Sequence, residues 1–103
     1  MKIIRELEEY IEKEIHDTKS YAMKACEIKS EFPALSHVLY TISTQEDGHQ
    51  AMLHAEVVKL VEAYRKTHGA PPAEMMAVYE FMHKRHIEKL EEAHRYQDVY
   101  KSL

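Results

Sequence analysis

At 103 residues the chain makes a single domain, and folding alone buries only roughly 60–70% of the surface of so short a chain, so a partner would add much to its core. Eighteen acidic residues against 14 basic ones give a net charge of −4 with no basic stripe, which excludes nucleic acid as a ligand. A single cysteine, Cys26, excludes an intrachain disulfide framework; the opening MKIIRELEEYIEKE is too charged for a signal peptide, and no window nears the roughly 18 uninterrupted apolar residues of a membrane span. The expectation is a soluble, cytoplasmic protein with no membrane partner.

Pro33, Gly69, Pro71 and Pro72 mark two breaks, and the stretches between them predict three long helices and an all-α fold. The first helix is expected from about Ile3 to Ser30, where Ile4, Leu7, Ile11, Ile15, Thr18, Ala22 and Ala25 recur at three- and four-residue steps and so face a core. A second follows from about Pro33, a favoured first-turn residue, to about His68, with Gly69 as its C-terminal cap. Its apolar line reads Leu35, Leu39, Ile42, Leu53, Leu60 and Tyr64, and the gap between Ile42 and Leu53 holds Glu46 and His49. The third helix starts near Ala73, with Glu74 near its positive end, and carries Met76, Tyr79, Ile87, Leu90 and Tyr100.

The gap in the second helix is where chemistry is expected. In heptad register, Ile4, Ile11, Thr18 and Ala25 form one seam line of the first helix and Leu7, Glu14, Tyr21 and Ile28 the other, so Glu14 occupies a core position. On the second helix the seam runs Leu39, Ile42, Glu46, His49, Leu53, Glu56, Leu60. Buried charges cost several kcal/mol each unless paired or metal-bound, and one divalent cation compensates two carboxylates at once. Residues three apart share a helical face, so the carboxylate and imidazole of Glu-x-x-His can converge on one ion.

Fifteen Glu and 8 His make roughly one such motif expected by chance, and three occur: Glu46/His49, Glu80/His83 and Glu91/His94. Only the first lies wholly in an apolar line. Counting about 1.5 Å per residue from the second turn puts Glu91 and His94 level with Glu46 and His49, which makes them the next ligand candidates. Glu80, His83 and His86 lie nearer the turn and would make a separate site.

Glu14, Tyr21 seven residues later, and Glu46/His49 in the middle of the next helix resemble the half-bundle of rubrerythrin-type ferritin-like proteins. The resemblance covers about residues 4–64, and residues 54–90 are also similar to small uncharacterised ferritin-like proteins of bacteria and phages. It implies a site of two iron or manganese ions, held by a Glu from each of two helices and a Glu-x-x-His from each of two others. It also implies Tyr21 as a hydrogen-bond donor to a ligating carboxylate, and, if the protein is an enzyme, oxidation of Fe(II) or reduction of dioxygen or peroxide. The chain carries half of such a bundle. Either a homodimer or higher homo-oligomer joins two copies of Glu14, Glu46 and His49, which is the preferred arrangement, or the third helix contributes Glu91 and His94 within one chain.

The competing reading, from another class, is a metal-free helical assembly module in which polar seam residues fix pairing register. Glu46 and His49 are then a polar pair at a wet helix edge, and Glu14 belongs to the charged run EEYIEKE. Glu56 is expected to pair with Lys59; Met23, Met52, Met75, Met76 and Met82 to fill the core; Cys26 to be a small buried hydrophobe; and His83, His86 and His94 to lie mostly at the surface. Gly48 either permits close helix approach or is a tolerated surface glycine.

Overall fold

A computed structural model describes residues 2–103. It is all-α: α1 spans Lys2–Ile28, α2 Pro33–His68 and α3 Ala73–Ser102. Pro33 opens α2, where its missing N–H costs no helical bond. Gly69 closes it at φ +78°, a conformation that a side chain resists, and donates its N–H to Arg65 O at 3.0 Å. Pro71 and Pro72 then prevent continuation until Ala73.

Cross-helix pairs set the directions. Ser36 with Ala25 and Ser43 with Thr18 run in opposite senses, so α1 and α2 are antiparallel. Lys89 with Glu12, Lys19 with Glu92 and Lys29 with Tyr100 O run in the same sense, so α3 is parallel to α1. The result is an up-down-up rod of 56 × 18 × 17 Å, with α1 packed against both other helices.

The α1 stripe behaves as its spacing requires: Ile4, Ile11, Ile15, Thr18, Ala22 and Ala25 are buried and Leu7 is half-buried. In α2 the expected apolar line is not the buried one. The fully buried positions are Ser36, Ser43, Gln50 and Val57, each one heptad from the next, whereas Leu35 is 51% exposed, Leu39 and Ile42 are half-buried, and only Leu53 and Leu60 of the line, also half-buried, pack against the core. The reason lies in the serines. Ser43 Oγ donates to Thr18 O at 2.6 Å and Ser36 Oγ donates to Ala25 O, so small hydroxyls let the two backbones approach and spend their polarity on α1 carbonyls.

The α3 register also differs from expectation: His86, Ala93, Gln97 and Tyr100 are buried and Ile87 is exposed. Gln97 donates to Ser43 Oγ at 2.9 Å, and the Tyr40 and Tyr100 rings stack 4.3 Å apart, which fastens α3 to α2. The methionines are not core filler as a group, since Met23 and Met52 are exposed. Cys26 is half-buried, donates from Sγ to Tyr96 O at 3.3 Å, and has its thiol pushed up in pKa by burial. No described helix is long and apolar enough to cross a membrane.

Candidate metal centre

Glu12 and Lys19 face α3 through ion pairs with Arg85, Lys89 and Glu92. Glu14 follows Glu12 by two residues, about 200° around an α-helix, and therefore looks away from α3 into the outer groove between α1 and α2. Across that groove stand Glu46 and His49, one turn apart on α2. His49 Nδ1 lies 3.7 Å from Glu14 Oε2 and 3.8 Å from Glu46 Oε2, and one ligand atom from each of the three residues falls within 4.8 Å of the others.

Those separations are too long for hydrogen bonds yet close to what an ion demands. Bonds of about 2.1 Å at tetrahedral or octahedral angles place neighbouring ligand atoms about 3.0–3.4 Å apart. Glu14 Oε2 is buried and has no hydrogen-bond partner, an uncompensated acceptor of the kind that a cation or a proton satisfies. Two bare carboxylates offer each other no hydrogen. A proton held between them converts the pair into a hydrogen bond, and this bond with Glu46, reinforced by burial and by the Glu46 charge, raises the Glu14 pKa above the ordinary carboxylate value. The residues present thus fit a metal ion, two half-buried carboxylates and one imidazole, although His49 is 54% exposed and lies at the wet edge of the groove instead of in the inward seam.

The other predicted residues lie elsewhere. His94 Nε2 is 2.7 Å from Asp47 Oδ2, and Glu91 is exposed, so neither joins the Glu14 group; the single-chain arrangement is not assembled. Asp47 fixes His94 in place and also accepts from Gln50 Nε2 at 3.0 Å. Glu80 is exposed, while His83 is half-buried and stacked on His54. Tyr21 is half-buried on the same side of α1 as Glu14, and its hydroxyl makes no hydrogen bond among the described residues. Glu56 pairs with Lys59 at 3.0 Å on the surface, as its spacing predicts. Gly48 has no atom within 4 Å of where a Cβ would stand, so no close approach inside the protomer requires it.

His86 is the residue whose expected place is furthest from its real one. Instead of lying at the surface it is 6% exposed, with Nδ1 3.0 Å from Oε2 of Glu8, itself 7% exposed. Glu8 was hidden among the charges of the first helix, and only its alignment with the Ile4, Ile11, Ile15 side of α1 signals burial. Nearby, burial first and the adjacent His83 second depress the pKa of His54 below the usual imidazole value.

Comparison with protein-family models, with curated proteins and with solved structures finds no match to this chain.

Proposed function

We propose that the chain is a ferritin-like di-metal carboxylate protein whose site is completed when two copies pair through the outer α1/α2 face. The observation that supports this reading is the convergence of Glu14 with Glu46 and His49 from another helix, on an edge that also turns apolar side chains to solvent. Tyr10 is 60% exposed, Leu35 51% and Val38 52%, and Leu39 and Ile42 are half-exposed beside them. On a rod this narrow, such a face is what a second copy would cover.

Two copies supply four carboxylates and two imidazoles, the donor set for two iron or manganese ions, and oxygen-rich ligation without thiolate suits those metals. Bound ions of this kind supply one-electron redox chemistry at open coordination positions, the basis for oxidising Fe(II) or for reducing dioxygen or peroxide. The chain's own part is to position and to neutralise. Any proton shared by Glu14 and Glu46 would leave as a cation takes its place, and His49 would ligate through Nδ1, the nitrogen it presents to the carboxylates. Covering the face with a second apolar face removes water from the group and strengthens every charge interaction within it.

Metal analysis of the purified protein, combined with light scattering, tests the reading. The expected result is about one ion per chain in a dimer or larger assembly, lost in both Glu46→Ala and His49→Ala. Equal metal content in all three proteins would sink the metal role, and the exposed apolar face would then favour a helical assembly module alone.

A further inference from the structure

Six residues before Glu14 on α1, about 9 Å along the helix axis, a second collection of ionisable groups is built from all three helices. Glu8 and His86 are both more than nine-tenths buried, and Glu8 Oε2 faces His86 Nδ1 at 3.0 Å without hydrogen-bond alignment. His86 Nε2, on the far side of the ring, is buried with no hydrogen-bond partner. His54 of α2 and His83 of α3 stack with ring centroids 4.9 Å apart and an interplanar angle of 15°. His54, His83, His86 and Gln50 line an open cleft of about 240 Å³ together with Ile11 and Leu90.

A metal ligated through Nε2 would put the His86 ring proton on Nδ1, which faces the Glu8 carboxylate 3.0 Å away. A carboxylate behind a histidine in this way fixes the tautomer and orientation of a metal ligand. His83 and His86 are one turn apart on one face of α3, and His54 stands opposite them on α2, so three imidazoles border one cavity. Three nitrogen donors without a thiolate suit a borderline divalent ion, in contrast to the oxygen-rich Glu14 group. The cleft has room for a water molecule at the remaining coordination position.

We propose that His54, His83 and His86 bind a divalent transition-metal ion of the zinc class, with Glu8 as the positioning residue for His86. Because lone pairs of parallel rings run side by side, loading requires one ring of the His54/His83 stack to turn about its own side-chain torsions into the cavity, with the helices fixed. The site is separate from the Glu14 group in ligands and in metal preference, and it stands whether or not that group binds metal.

Cobalt(II) is the probe, because a nitrogen-rich four-coordinate site gives it strong visible absorption. In full-length protein carrying Glu46→Ala and His49→Ala, the expected result is one Co²⁺ per chain with that absorption, displaced by one equivalent of Zn²⁺. Adding His83→Phe or His54→Phe, either of which keeps a ring in the stack, abolishes the band. Glu8→Gln keeps the band and weakens binding about 10- to 100-fold. Absence of Co²⁺ from the Glu46→Ala/His49→Ala protein, or binding that survives both phenylalanine variants, overturns the proposal. Imidazole nitrogen resonances of the unmutated chain give a check that no variant's folding can confuse: Zn²⁺ shifts those of His54, His83 and His86 together, and unmoved signals refute the site.

Discussion

Glu14→Gln separates the cost of holding two carboxylates together from the gain of neutralising them with an ion. The ligand oxygens of Glu14 and Glu46 fall within 4.8 Å, where two full charges repel by about 3 kcal/mol at an effective dielectric constant of 20. Side-chain exposures of 24% and 20% admit solvent screening, so about 1 kcal/mol is the expected net effect. The Glu14 pKa is raised in the fold, chiefly by the proton-mediated bond to Glu46. A raised pKa means that the stability from this group is fully present below the unfolded-state value and is lost as pH rises through the folded value. Without metal at pH 8, glutamine removes that loss, and the variant should melt about 5 °C above the parent. With metal at a hundred times its dissociation constant, the parent gains about 2.7 kcal/mol, or roughly 12 °C, whereas the variant has one carboxylate fewer to offer. The order of the two proteins should therefore invert. Thermal melts with chelator and with anaerobic Fe(II) or Mn(II) read this directly, and equal upward shifts in both proteins, with no advantage for glutamine in chelator, would refute the reasoning.

Three other outcomes follow from the same geometry. Ile42→Glu places a charge on the outer α2 face, and under the proposed pairing sedimentation should show dissociation to the protomer with little change in helix content by circular dichroism; an unchanged sedimentation coefficient would contradict that pairing. Ile15→Ala empties a site that is 1% exposed and should cost about 2–5 kcal/mol in chemical denaturation; Leu35→Ala, at 51% exposure, should cost the protomer under about 0.5 kcal/mol. His54 has a depressed pKa, with burial the largest cause, so its contribution is intact above the unfolded value of 6.5 and is lost as pH falls below it. The denaturation midpoint of the parent should accordingly drop more between pH 7.5 and pH 5 than that of His54→Phe, and parallel pH profiles would contradict this.

The helix limits were legible because Pro33, Gly69, Pro71 and Pro72 act through local backbone chemistry that needs no tertiary partner. The α1 stripe was legible because its inward positions are nearly all apolar or small. The α2 register was not, because a search for apolar lines passes over serine. Ser36 and Ser43 are fully buried only because α1 carbonyls stand ready to accept their hydroxyls, a condition set by another part of the chain. Leu53 and Leu60 still pack against the core, but Leu35, at 51% exposure, falls on the outside and Leu39 and Ile42 are only half-buried, so the N-terminal half of the apolar line pointed to a face while naming the wrong neighbour for it. Glu46 and His49 stood out because they interrupt that line, and Glu14 because it interrupts the second seam of α1. Glu8 and His86 gave no such contrast. Each sits in a run of charges, and their burial arises from the parallel alignment of α1 with α3, which no local pattern encodes.

The rod's cross-section of 18 × 17 Å leaves no point more than about 9 Å from its boundary. An ion approaching the Glu14 group would need no channel, and its binding there would be governed by donor chemistry and protonation. The same thinness means that dryness around Glu14 would have to come from outside the protomer, so under the proposed pairing isolation from water and association of chains would be a single event.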